Sequence, residues 1–296
     1  MAAKANLTID VKVTSLERQI ADLALNISAH LNSPRIDRVV LPEQMLSQSE
    51  LNAKHDKFGL VILDNGHAGF FYRLLDVKPE LTDHYRLLAS GAAGLPLNSC
   101  IETLNSTDLF ERGIAWGAIS AITAALFEQA NYKPPMKSAS KARAIPQTVG
   151  MVGYFSEQAR QLIRSGHQVA VLELNPALST QQPQLTVSPD PAVLNDCQVI
   201  YCTASTLING SLQGLLQGHA ANTRFELVGP SAGCCPDPLF SQHVDAIGGS
   251  LIEDVVQTEE RIQCGQPWRD SVQKFNLEAA DYPGTDALLE SCSKEF

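Results

Sequence analysis

Apolar positions recur at helical spacing over residues 14–32, where Leu16, Ile20, Leu23, Ile27 and Leu31 fall on one face. The spacing predicts an amphipathic helix. Stretches dense in β-branched and aromatic residues follow at 35–41, 57–64 and 67–75. Asn65-Gly66, between the last two, predicts an antiparallel hairpin. After Gly91 and Gly94, LNSCIETL reads as a short helix, and Ser106 or Thr107 is placed to cap a longer one through FERGIAWGAISAITAALFEQ. Its small residues Gly113, Ala115, Gly117, Ala118, Ala121, Ala124 and Ala125 imply a closely approaching neighbour, with Trp116 and Phe127 filling the remaining space. The helix is therefore expected to be mostly buried.

The pattern breaks at NYKPPMKSASKARAIPQ, residues 131–147, which hold three prolines and four basic residues but no acid. This reads as a linker. Beyond it the period switches back and forth between two and 3.6. Val149 to Val152 form a short apolar run ending in Gly153, a helix begins near Ser156 and stops at Gly166, and Val169 to Leu174 form the next strand. Then come a polar Pro-rich stretch, a short helix near AVLND, the strand CQVIYCTA, a helix, TRFELVG, a short helix, VDAIGG and a helix near 254–264. Such alternation predicts an α/β fold with a doubly wound, mostly parallel sheet, preceded by a smaller α+β unit. The expected boundaries are 1–130, the linker 131–147, 148–275 and a tail at 276–296 with one short helix.

The 296 residues suffice for about two self-standing cores. A formal charge of −10, from 22 basic and 32 acidic residues, argues against nucleic acid and anionic membranes as partners. The amino terminus carries no apolar leader, and no apolar run approaches the ~18 residues of a membrane span. A cytoplasmic protein is expected. Its seven cysteines are scattered and odd in number, so reduced thiols are the default. Cys197 and Cys202, five apart, should lie on opposite faces of a strand.

Parallel strands deliver their following loops to one edge, where ligands of such sheets sit. Four loops should converge there: Gly153 to Ser156, Glu173 to Pro176, Thr203 to Ser211 and Gly229 to Pro238. They are the chain's richest in polar and turn-forming residues. The first resembles a dinucleotide fingerprint only in part. Gly150 and Gly153 are present, and Glu173 stands twenty residues after Gly153, where an acid would bond a ribose. Tyr154 and Phe155, however, occupy the turn where bare backbone should approach a pyrophosphate, and Glu157 would repel it. The arrangement suits a nucleoside, pterin or adenosyl group against an aromatic wall. Asn175 ends the second loop. Ser205, Thr206, Asn209 and Ser211 populate the third, where Asn209-Gly210 supplies a turn. Gly229-Pro230-Ser231-Ala232-Gly233 matches a nucleophile-elbow spacing, but Pro236 and Pro238 delay the helix that an elbow needs and His243 is the sole downstream histidine. An anion cradle from the Ser231 to Gly233 backbone fits better. Cys234-Cys235 is the candidate soft-metal feature, although no further ligand spacing accompanies it.

In order and spacing, VGMVGYF, LELNP, TASTLINGS and VGPSAGCCPDPLF resemble the putative heavy-metal chelation domain family. The resemblance implies a Rossmann-like domain whose site is completed by an amino-terminal domain similar to the small capping domain of enolases. It also implies processing of small molecules such as pterins, flavins or metal chelators, linked to heavy-metal handling. The candidate ligand-binding residues are thus Gly153, Tyr154, Phe155, Glu173, Asn175, Ser205, Thr206, Asn209, Gly210, Gly229, Pro230 and Ser231, with Cys234 and Cys235 for a metal. Asp64, Asn65, His67, Glu102 and Arg112 are the first-half candidates. A small-molecule ligand is the expected partner, with a metal ion, a nucleotide- or pterin-like cofactor and a second copy of the chain as further candidates. Two competing readings stand beside it: a non-catalytic carrier of a metal or metal complex, and an adenosylmethionine-dependent methyltransferase.

Overall fold

The structure, a computed structural model, describes residues 13–42, 57–73, 82–136, 147–220 and 222–293. The first half contains α1 (Ser15–His30), the strands β1 (Ile36–Val40), β2 (Phe58–Leu63) and β3 (Ala68–Tyr72), and the helices α2 (Thr82–Ala92), α3 (Leu97–Glu102) and α4 (Leu109–Gln129). The second half begins with β4 (Thr148–Val152), α5 (Ser156–Arg164), β5 (Gln168–Leu172), β6 (Thr180–Gln182), β7 (Leu185–Ser188), β8 (Val199–Thr203), α6 (Ser205–Ile208) and α7 (Leu212–Gly218). It ends with β9 (Arg224–Val228), α8 (Asp237–Ser241), β10 (Ala246–Ile252), α9 (Val255–Gln263), β11 (Val272–Glu278) and α10 (Thr285–Cys292). Strands β1-β2-β3 form an antiparallel sheet, and the other eight lie in the order β11-β10-β9-β8-β4-β5-β7-β6. Only the two edge strands, β6 and β11, run antiparallel to their neighbours. This is the α/β architecture that the alternating periods predict.

Helix α4 is the spine of the molecule. Apolar nearly all round, it can only be buried, and Ile114, Ala115, Trp116, Ala118, Ile119, Ala121 and Ile122 are at most 4% exposed. One apolar cluster joins it to α1, to Val61, Leu63 and Phe71 of the small sheet, and to Ile200, Phe225, Leu227 and Ile247 of the large one. It meets the length and composition of a membrane-crossing helix, yet 83% of its most apolar window is buried inside the protein. The small sheet's other face, with Leu60, Ile62 and Phe70, packs against Ile262 of α9 and Trp268. Burial on both faces explains why β2 and β3 read as unbroken apolar runs. The second face of the large sheet carries a separate cluster where α5, through Ala159, covers Met151, Val169 and Val171.

Several elements depart from the pattern-based expectation. Helix α2 is unannounced. Strands β6 and β7 occupy the Pro-rich stretch, too short at three and four residues for periodicity to register. Strand β11 straddles the expected boundary at 275, with Phe275 and Leu277 buried between half-exposed Asn276 and Glu278. The expected linker begins as part of the fold, since Asn276 N donates to Pro135 O at 2.9 Å and Met136 bridges to Phe275; residues 137–146 lie outside the described residues. Asp108, rather than Ser106 or Thr107, caps α4, its Oδ1 accepting from Phe110 N at 2.7 Å. Cys197 precedes its strand, so both Cys197 and Cys202 pack into the main core instead of facing opposite ways.

Small residues let α4 approach the sheet. A methyl group on Gly69 of β3 would land on the Gly117 carbonyl oxygen and the Ala121 nitrogen, backbone atoms that cannot swing away. Gly69→Ala is therefore expected to lower unfolding stability by about 1–3 kcal/mol through overpacking. Gly91→Ala, on an exposed face of α2 with nothing within 4 Å, should be neutral or slightly stabilising. Urea unfolding of the two variants checks the contrast; equal midpoints would show that the approach at Gly69 does not matter.

Candidate functional site

The parallel strands β4, β5, β8, β9 and β10 bring the four loops to one edge, where contacts link them in sequence. Glu173 Oε2 accepts from Tyr154 N at 3.3 Å and its Oε1 from Asn175 N at 3.0 Å, tying the first loop to the second. Gly153, at φ +82°, lies so close to Thr203 that a β-carbon would sit 3.2 Å from its methyl. Ala204 packs under Gly229, and the chain continues through Pro230 to Ser231. Thr206, a buried residue, donates to Thr203 O at 2.7 Å, while Ser205 Oγ lies 3.1 Å from Thr203 Oγ1. Asn209 Oδ1 accepts from Ser211 N at 3.1 Å and Ser211 Oγ at 2.7 Å, which shapes the Asn209-Gly210 turn. Asn175 Oδ1 likewise accepts from Ala177 N at 3.1 Å.

The third loop is fixed to the first half by one residue. Arg112 of α4, fully buried, donates from Nε to Ile208 O at 2.6 Å, and its terminal nitrogens donate to Leu104 O and to Glu17 Oε1. Glu17 is itself oriented by the capping box of α1, where its Oε2 accepts from Thr14 N at 2.7 Å. Gly210 stands over this ion pair, its Cβ position 3.6 Å from both partners. The fourth loop rests on the same helix: Cys235 N donates to Thr123 Oγ1 at 3.1 Å, and Gly233 sits over Ser120.

One continuous cleft of about 2250 Å³ runs along this edge and on over the α5 side of the large sheet. It exceeds what a single small ligand fills, ~300–1,000 Å³. On the sheet's face it passes Tyr201, Glu226, Ser250 and Asn276. There Arg224 is held by Glu226 at 2.7 Å and Glu278 at 2.8 Å. At the loop edge the lining includes Gly153, Tyr154, Phe155, Glu173, Asn175, Ser205, Thr206, Asn209, Gly229, Pro230 and Ser231. Ser231 is the exceptional member, only 2% exposed, with an Oγ that has no hydrogen-bond partner among the described residues. Buried polar groups almost always have partners, so such an atom calls for an explanation.

The first half reaches the cleft through Lys57, Phe58 and Tyr72. Burial, reinforced by the Glu173 charge and opposed by Arg73, pushes the Tyr72 phenol above its ordinary pKa. The first-half candidates near the hairpin turn are engaged elsewhere: Asp64 Oδ1 accepts from Arg35 N at 3.1 Å, Asn65 Oδ1 from His67 N at 3.2 Å, and His67 Nε2 meets Glu128 at 2.7 Å. Glu102 lends its carbonyl to Asn105 at 3.0 Å. The hairpin carries its other end to the cleft. The register that begins at Asn65-Gly66 ends with Phe58 opposite Tyr72, a count the sequence alone permits.

Comparison with known proteins places this edge in context. Residues 142–279 match the family described as putative heavy-metal chelation, DUF364. A DUF364 protein of unknown function from Desulfitobacterium hafniense has a solved structure that matches with a TM-score of 0.63 at 19% identity, covering 86% of this chain and 98% of that one. One from Pyrococcus horikoshii, also of unknown function, matches with a TM-score of 0.63 at 16% identity, covering 89% and 100%. At these identities the likeness shows the fold alone. No curated protein matches the chain.

The family's description directs attention to Cys234 and Cys235. Both are buried beneath α4, at 4% and 3% exposure. Burial pushes their thiols up to about 12 and about 11, so both are protonated near neutral pH. No cluster of three or more His, Cys, Asp or Glu side chains able to hold a metal occurs among the described residues. Cys264 alone of the seven cysteines is exposed. Ellman's reagent at pH 8 is therefore expected to modify one thiol per folded chain and the others only on unfolding; rapid reaction of two or more would contradict this burial. Unfolded thiols ionise near pH ~8.5, whereas Cys100, Cys202 and Cys234 in the folded chain wait until about 12. Above pH ~8.5 the folded state thus holds more protons than the unfolded one, and the thiols' contribution to stability declines as pH rises toward 12. Urea midpoints between pH 8 and 10 should fall; midpoints that rise would refute the assignment.

Proposed function

We propose that this protein binds a small, largely planar organic molecule in the cleft between the loop edge of the large sheet and the β2–β3 end of the first half. The observation that carries this reading is the meeting of the four polar loops with Phe58 and Tyr72 of the first half along one cleft. Tyr154 and Phe155 on one side, with Phe58 and Tyr72 from the first half, offer aromatic surface suited to a flat ring. Glu173, Asn209 and Ser205 supply a few convergent polar groups, the usual make-up of a ligand site. A pterin-, flavin-, nucleoside- or chelator-like molecule meets these requirements. The family's association with heavy metals would then run through a metal-chelating small molecule, because the adjacent cysteines lie within the core and no group of three or more ligand side chains occurs among the described residues.

Native mass spectrometry of gently purified protein, beside the same sample denatured, tests the proposal. An organic mass of a few hundred daltons, lost on denaturation, is expected. A stoichiometric metal without an organic ligand, abolished by Cys234→Ser and Cys235→Ser, would overturn it in favour of a metal-carrying protein.

A further inference from the structure

In dinucleotide-binding α/β domains, the amides at the turn between the first strand and helix hold a pyrophosphate. Here the corresponding turn is Gly153 to Phe155, and a carboxylate of the protein already accepts from one of its amides, Tyr154 N. Glu173 Oε2 accepts from Tyr154 N at 3.3 Å, and Oε1 accepts from Asn175 N at 3.0 Å. Among the described residues, Glu173 takes part in no ion pair. An ionised carboxylate has about four acceptor positions and no donor. Two are used by the amides, which leaves about two for a molecule in the cleft that Glu173 lines.

We infer that Glu173 sets the ligand specificity of this cleft, selecting a planar molecule with paired N–H donors, as in an amidine or amino-substituted heterocycle, and excluding diphosphates. The inference rests on the cleft reading above and deepens it. Two features point the same way. The carboxylate puts a negative charge where a diphosphate would need a positive field, whereas Glu157 in the first turn of α5 is already paired with Arg160 at 2.6 Å. Tyr154 and Phe155 replace the bare backbone against which a pyrophosphate would lie and offer ring surface instead. A ring whose N–C–N edge meets Glu173 through two parallel hydrogen bonds would be held in one orientation.

Two simple probes test the inference on the full chain. Benzamidine carries the paired donors on a flat ring, and inorganic pyrophosphate is the anion that the turn should reject. Both are titrated while the backbone amides of Gly153, Tyr154 and Asn175 are followed by NMR. Benzamidine is expected to shift these amides saturably, and pyrophosphate is not. Glu173→Gln, which keeps one acceptor for the loop amides, should weaken benzamidine about tenfold or more, the usual scale for losing charge-assisted bonds. Saturable pyrophosphate binding at this turn in the wild type would overturn the inference even if the variant failed to fold. Unchanged benzamidine affinity in Glu173→Gln would overturn it while leaving the cleft as a binding site. If neither probe moves the loop amides, the selectivity assigned to Glu173 fails, and the co-purified mass decides separately whether the cleft reading survives.

Discussion

The contact on which this arrangement depends is the buried pair of Arg112 and Glu17. An ion pair removed from water stabilises a fold only when its remaining hydrogen-bonding capacity is also met, and here it is met in a particular way. Arg112 bonds the carbonyls of Leu104 and Ile208, one from each half of the chain. Glu17 is aligned by the first turn of α1. A fork of donors held in one plane thereby fixes three separate segments, a task for which lysine's single nitrogen is poorly shaped. The segment gained from the second half, α6 with its Asn209-Gly210 turn, carries part of the cleft lining.

The cleft is consequently made of parts with unequal freedom. Its third and fourth loops rest on α4, one through Arg112 and the other through Thr123 and Ser120. The first and second are held by strand-end backbone bonds, Gly153 N to Leu172 O and Glu173 N to Ser188 O, and by Tyr154 N donating to Glu173 Oε2. Glu173 thus has two functions, closing the turn and facing the cleft. The fold offers the position that many dinucleotide-binding α/β domains use for phosphates, and here a carboxylate and two aromatic residues stand at it.

Much of this was legible in the sequence. The βαβ opening, the four converging loops and the burial of α4 followed from period changes and small-residue content, because each is dictated over many positions. The resemblance to DUF364 was legible from the loop motifs. Short edge elements were not: β6 and β7 have too few residues to show a period, and β11 follows directly on the 3-10 turn Arg269–Ser271. The first-half contribution was misplaced because the polar residues cluster at the hairpin turn, whereas Phe58 and Tyr72, which reach the cleft, are aromatic and resemble core. The part played by Glu17 carries no local signal beyond its capping box. Its partner lies 95 positions away, and only the tertiary fold brings them together.

The claim that one buried cation positions the loop edge is tested most directly by hydrogen exchange in Arg112→Lys, which keeps the charge but cannot reach all three acceptors. The account predicts faster amide exchange across residues 205–211, with β5 and β7 little changed. Unaltered exchange at 205–211 in a folded variant would show that the loop holds its place without Arg112.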